Sequence, residues 1–175
     1  MPRRLLPALV ASCLTLCARQ APAQEATEGT LKGAFIYNIA TFTEWPEDVL
    51  PSGAPLTACV VGDDAVASAL AKHARNRLVA GHPVLVVTRQ ANAVQGCHVL
   101  YVSSSSPTAG AQAMALTAGS PVLTIGDVDD FARAGGIAQL FVEGGKMRFR
   151  VNLGSVKRSR LQLSSRLLSL AVVVQ

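Results

Sequence analysis

The sequence predicts an α/β domain: a three-layer α/β/α sandwich on a mostly parallel mixed sheet, with an antiparallel hairpin toward the C-terminus. Three observations support this. Short apolar runs alternate with helix-start signals from Leu56 to Asp127, the pattern of a parallel sheet with crossover helices. Two alternating runs then flank the pair Gly144-Gly145, a β-hairpin signature. The chain of 175 residues, 50% hydrophobic and 15% charged, has a one-domain length and can bury a core.

Residues 1–23 read as a cleavable secretory leader. Arg3 and Arg4 form a positive start, Leu5 to Cys17 is a short apolar run, and Ala21-Pro22-Ala23 is a small-x-small site that places cleavage between Ala23 and Gln24. The run is shorter than the roughly 20 residues of a membrane-spanning helix, so no permanent anchor is expected. An early Cys13 after "VAS" also permits a lipoprotein reading, with very little apolar run before it. The single domain is then residues 24–175, destined for the periplasm. The full chain carries a formal charge of +5 from 16 basic and 11 acidic residues. Loss of Arg3, Arg4 and Arg19 leaves about +2, too little to argue for nucleic acid.

Leu31 to Pro46 reads as a helix. Leu31, Ala34, Phe35, Ile39, Phe42 and Trp45 fall on one side as an apolar stripe for the sheet, with Asn38 within it as a tie to a neighbouring loop and Pro46 as the stop. Gly33, Ile36 and Ala40 lie opposite. Two readings fit that second apolar face: burial between layers, or contact of Ile36, Tyr37 and Ala40 with another subunit or protein. Leu56 to Gly62 is the first strand, and Asp63 or Asp64 caps the next helix. Val84 to Val87 marks the second strand and Cys97 to Ser103 the third. Ser103 to Ser106 before Pro107 starts a helix that runs to about Thr117. Ser120 to Asp127 is the fourth strand, with Asp127 capping a brief helix closed by Gly135 or Gly136. After the hairpin, "SSRLLSLAVVV" reads as a closing apolar helix with Arg166 outward.

Once the leader is removed, Cys59 and Cys97 remain as an even pair in an oxidising setting, and a disulfide is expected. In a 2-1-3-4 strand order the first and third strands are neighbours about 4.8 Å apart, within bridging range. The bond would close a loop of about 39 residues, roughly 4 kcal/mol in the chain-entropy estimate.

The loops after the first, third and fourth strands, with Asp63, Ser104 and Asp127, lie where open α/β sheets bind ligands. Every one of these residues is also what a helix N-terminus requires, and capping is the favoured reading. The four serines lack a G-x-S-x-G frame, the histidines (His73, His82, His98) lack metal-ligand spacing, and the glycines form neither a G-x-G-x-x-G nor a phosphate loop. No catalytic residue, metal or cofactor is expected. Lys157, Arg158, Arg160 and Arg166 form a basic cluster, read either as a solvated face or as attraction for an acidic partner or anionic lipid.

Five blocks in order, "KGAFIYNIATFTEWP" (Lys32 to Pro46), "ACVVGDD" (Ala58 to Asp64), "GCHVLYVS" (Gly96 to Ser103), "PVLTIGDVDDFARAGGIAQLFVEGGKMRFRVNL" (Pro121 to Leu153) and "LQLSSRLLSLA" (Leu161 to Ala171), resemble the YfiR-like family of periplasmic regulators. The resemblance implies a homodimeric, non-enzymatic inhibitor of an inner-membrane diguanylate cyclase, acting on that enzyme's periplasmic sensor part and so lowering cyclic di-GMP and biofilm formation. Relatives are released by redox change or by an outer-membrane lipoprotein. Cys59 and Cys97 match the family's disulfide. The second pair of some relatives is missing here, since no cysteine follows Cys97. The rival expectation is a periplasmic small-ligand sensor or solute-binding module using the loops at Asp63, Ser104 and Asp127.

Overall fold

The structure, a computed structural model, describes residues 27–174. Helix α1 (Glu28–Thr41) leads into a two-residue strand β1 (Thr43–Glu44). Then come β2 (Leu56–Val61), α2 (Asp64–Ala74), the short β3 (Leu78–Val79), β4 (His82–Thr88), β5 (Val99–Val102) and α3 (Pro107–Thr117). The chain continues through β6 (Leu123–Gly126), β7 (Ala138–Glu143), β8 (Lys146–Asn152), α4 (Leu153–Arg158), β9 (Gln162–Leu163), α5 (Ser165–Leu168) and β10 (Val172–Val174).

Eight strands form one mixed sheet in the order β10-β8-β7-β6-β5-β2-β4-β3. The four strands read from the alternation run β4-β2-β5-β6 and are mutually parallel, the expected 2-1-3-4 order. The antiparallel hairpin is β7–β8, turned by Gly144 and Gly145 at φ 57° and 73°. Both turn positions need φ > 0, which glycine adopts without steric cost.

Side chains alternate across the central strands into two separate clusters. Ala58, Val60, Val99, Tyr101, Leu123 and Ile125 join Ile36 and Ile39 of α1 and Val66 and Leu70 of α2. Cys59, Val61, Leu100 and Val102 face the other way, with Ala113 of α3 and Phe131. Strands buried on both faces explain why they read as continuous apolar runs.

Several expectations are corrected. Helix α1 begins at Glu28, three residues before the expected Leu31, and ends at Thr41, before Pro46. The Thr41 and Thr43 hydroxyls donate to the Tyr37 and Ile39 carbonyls, and Thr43–Glu44 turns aside to pair with β9. Burial of α1 also extends beyond the expected stripe: Lys32, Gly33, Ile36 and Ala40 are buried together with Ile39 of that stripe, and Phe35, Phe42 and Trp45 pack partly buried against the same core, whereas Leu31 is 40% exposed and Asn38 exposed. Gly33 explains the burial of this second side. A Cβ there would lie 2.7 Å from the Leu70 backbone nitrogen and 2.8 Å from Ala69 Cβ, so α1 crosses α2 at a distance only glycine permits. Ile36 and Ala40, expected at a partner contact, are therefore core, at 1% and 4% exposure; Tyr37 keeps part of its surface.

The closing segment is helical only over Ser165–Leu168, and the β-branched run Val172–Val174 joins the sheet parallel to β8. Val128 to Gly135 forms turns and no helix. A second hairpin, β3–β4, was not anticipated: Ala80 and Gly81 both take positive φ, 50° and 86°, but Ala-Gly is not a usual turn signal. The expected leader and its Ala23–Gln24 cleavage point lie outside the described residues.

Candidate functional site at the strand ends

At the carboxyl ends of β5 and β6 a charged node closes the sheet against α1. Asp127 follows the last residue of β6, and Lys32 reaches it from α1, Nζ to Oδ2 at 2.5 Å, with about nine-tenths of both side chains buried. Glu28, one turn earlier on α1, is a second partner of the Lys32 ammonium, also at 2.5 Å. Ser104 donates to Asp127 twice, from its backbone N–H (2.7 Å) and from Oγ (3.1 Å). Burial alone would lower the Lys32 pKa; the hydrogen bonds and charges of Asp127 and Glu28 outweigh it and hold the group above its ordinary 10.5. Burial would likewise raise the Asp127 carboxyl, yet Lys32 and Ser104 keep it below the ordinary 3.8.

The neighbouring polar groups serve the same edge. Ser105 Oγ donates to the Gly62 carbonyl (2.6 Å) and lies 3.0 Å from Ser103 Oγ. Asp63 accepts from the Val66 backbone N–H at 3.0 Å, capping α2. Of the three residues expected on ligand loops, Ser104 and Asp127 are thus brought together and bonded to each other, and Asp63 is a cap. Asp127 itself caps no helix, because its oxygens are taken by Lys32 and Ser104. Lys32 was not anticipated here. Its only sequence signal was a lysine inside an apolar helix, four residues after a glutamate.

Tyr101, wholly buried on β5, has a hydroxyl without a hydrogen-bond partner. Burial first, then the negative charge of Asp127, push its phenol far above the ordinary 10.0, so it stays neutral at every physiological pH.

The approach to β5, where the chain lies against β2, is held without charge. Cys59 of β2 and Cys97 form the expected disulfide, Cα to Cα 5.8 Å; Cys97 precedes β5 by two residues. His98 beside it accepts the Thr57 backbone N–H at Nδ1 (2.9 Å) and faces the Val49 carbonyl with Nε2 (3.4 Å), and its own carbonyl accepts the Trp45 indole N–H (3.1 Å). An accepting Nδ1 puts the proton on Nε2, the neutral tautomer. Burial lowers the His98 pKa below 6.5.

The basic cluster does not act as one patch. Arg160 pairs with Asp48 at 3.2 Å, Arg166 lies 5.7 Å over the Phe42 ring, Arg158 donates to Ser155, and Lys157 is exposed. Among the described residues, no three His, Cys, Asp or Glu side chains cluster as a metal site would require, and no helix is long and apolar enough to cross a membrane.

Fold and strand ends together define an α/β domain closed by one disulfide, with the polar residues at the usual ligand edge bound to each other. The chain belongs to the YfiR/HmsC-like family, whose model matches residues 29–172, a family of periplasmic regulatory proteins. It is also similar to a crystal structure of a conserved domain protein from Vibrio cholerae O1 biovar El Tor, with TM-score 0.49 and 13% identity. That similarity covers 74% of this chain and 57% of the other, so the chain matches little more than half of that protein's length.

Proposed function

We propose that this protein is a periplasmic inhibitor of an inner-membrane diguanylate cyclase, binding the enzyme's periplasmic sensor region as a homodimer and lowering cyclic di-GMP output. The observation that carries this reading is the family match across residues 29–172. The disulfide at Cys59–Cys97, where the family has one, supports it. The inhibitor works by population shift: it binds one conformation of the sensor region more tightly than the other, and the difference in affinity holds the enzyme off. A homodimer of this type is released when a competing outer-membrane lipoprotein or loss of the disulfide removes the binding-competent state.

With Ile36 and Ala40 in the core, the contact reading moves to the partly exposed Tyr37 and its neighbour Leu78. The Tyr37 hydroxyl donates to the Leu78 carbonyl (3.2 Å), the Arg77 guanidinium lies 6.0 Å over the Tyr37 ring, and Leu78 is 59% exposed. An aromatic, an arginine and an exposed leucine on one short surface are typical anchors of a protein contact.

The experiment is deletion of the gene in its host with cyclic di-GMP quantified, together with crosslinked pull-down of membrane diguanylate cyclases from the periplasmic side. Raised cyclic di-GMP and capture of one cyclase are expected, and Leu78→Asp should abolish the capture without unfolding the protein. Unchanged nucleotide in the deletion strain, with no cyclase captured, overturns the reading.

A further inference from the structure

A second feature lies on the disulfide-bearing face of the sheet. There α3, the loop after β6 and α4 surround a cavity of about 440 Å³, within the ~300–1,000 Å³ usual for small-molecule sites. None of Asp63, Ser104 and Asp127 lines it.

Its floor is built by close packing. A Cβ on Gly110 would overlap Val102 Cγ1, so α3 sits directly on β5 at that point. The Phe131 ring is held between Gly126 and Gly136: a Cβ on Gly126 would lie 2.7 Å from the ring, and one on Gly136 would overlap it. Phe131 is thereby fixed as an aromatic part of the lining, beside the apolar Met114 and Val122 and the polar Thr117, Thr124 and Ser159.

The polar end of the cavity is Arg158. Arg133, Arg148 and Arg160 each have an acidic partner, whereas Arg158 has no acid within salt-bridge distance among the described residues and donates only to the neutral Ser155 Oγ (2.8 Å). An exposed guanidinium at the mouth of an apolar cavity retains donors in the planar fork that matches a carboxylate. Asp129 is the other charged residue of the lining, so a ligand with a single negative charge fits better than one with two.

We infer that this cavity binds a small molecule with one carboxylate and an apolar, aromatic or branched body. The body rests on Phe131, Met114 and Val122, and the carboxylate bonds to Arg158. The site stands independently of the cyclase reading, since neither Tyr37 nor Leu78 takes part in it.

The test uses the oxidised protein with 3-phenylpropionate and 4-methylpentanoate as probes, against the neutral 3-phenylpropanamide and the cationic phenethylamine, by thermal unfolding and titration calorimetry. At 100 times its dissociation constant a carboxylate probe should raise Tm by about 5 °C or more. Arg158→Gln should weaken its binding about tenfold or more, the loss of a charge-assisted pair. Ala115→Trp, which places an indole in the cavity from the exposed side of α3, should abolish binding while circular dichroism remains that of the wild type. The inference is overturned if no carboxylate raises Tm, if the amide binds as tightly as the acid, or if either folded variant binds like the wild type.

Discussion

At the carboxyl ends of β5 and β6 the domain is held by charge, through Lys32, Asp127 and Glu28 with Ser104. Just before β5, against β2, it is held by a covalent bond and by neutral hydrogen bonds through His98. The two devices fail differently. A buried ion pair stabilises only while both partners are present and ionised, because either alone is an uncompensated charge in an apolar layer. A disulfide acts mainly on the unfolded chain, is indifferent to pH near neutrality, and is lost to reductant. At the carboxyl ends the polar residues neutralise one another and anchor α1.

The largest effect is expected at the covalent end. Cys97→Ala should lower unfolding stability by about 4 kcal/mol, with an accompanying fall in Tm, and reduction of the wild type should reproduce it. A chemical-denaturation midpoint unmoved by either treatment would show that the disulfide constrains nothing the fold does not already hold.

At the charged end, Asp127→Ala should cost about 3 kcal/mol, at the low end for a broken buried pair because Glu28 remains beside Lys32. The double variant Lys32→Met, Asp127→Ala should recover much of that loss, since no charge is left buried. A double variant as unstable as the single one would mean that packing, and not charge, controls this end.

Acid separates the ends further, and the signs follow from the shifts. The folded pKa of His98 lies below 6.5, so its contribution is complete above that pH and is lost as pH falls from 6.5 through the folded value. Asp127 is also depressed, so its contribution is present above 3.8 and disappears only on further acidification. Lys32 is raised and loses its contribution as pH climbs past 10.5. Denaturation midpoints from pH 7 to 5 should therefore fall modestly in the wild type and stay flat in His98→Gln, while Asp127→Ala keeps the wild-type slope in that window.

The smallest change concerns Tyr101. Because its hydroxyl is buried without a partner, Tyr101→Phe should leave stability unchanged or raise it by about 1 kcal/mol. A clear loss would mean that the hydroxyl is bonded in solution, through a water or to Asp127.

The resemblance to the family was visible in five separated sequence blocks, and the family match spans the same residues. The candidate site was legible only in part. Ser104 and Asp127 could be named as strand-end residues, yet nothing local indicated that a lysine 95 positions before Asp127 would pair with it. The cavity beside Arg158 left no sequence signal, because its lining comes from α3, the loop after β6 and α4, which only the fold brings together.

What the sequence determined by itself is what neighbours within a few residues can enforce. Gly144-Gly145 set a hairpin, Asp63 and Pro107 mark helix starts, and uninterrupted apolar runs specify strands buried on both faces. The tertiary structure alone decided that the second apolar side of α1, with Ile36 and Ala40, is buried, because the close approach to α2 at Gly33 covers it. It also turned Val172–Val174 into an edge strand, since β8 offered backbone partners that an isolated C-terminal segment does not have. Local propensities are short-range, whereas burial of a face, pairing of an edge and pairing of a charge require partners that only the folded chain brings into reach.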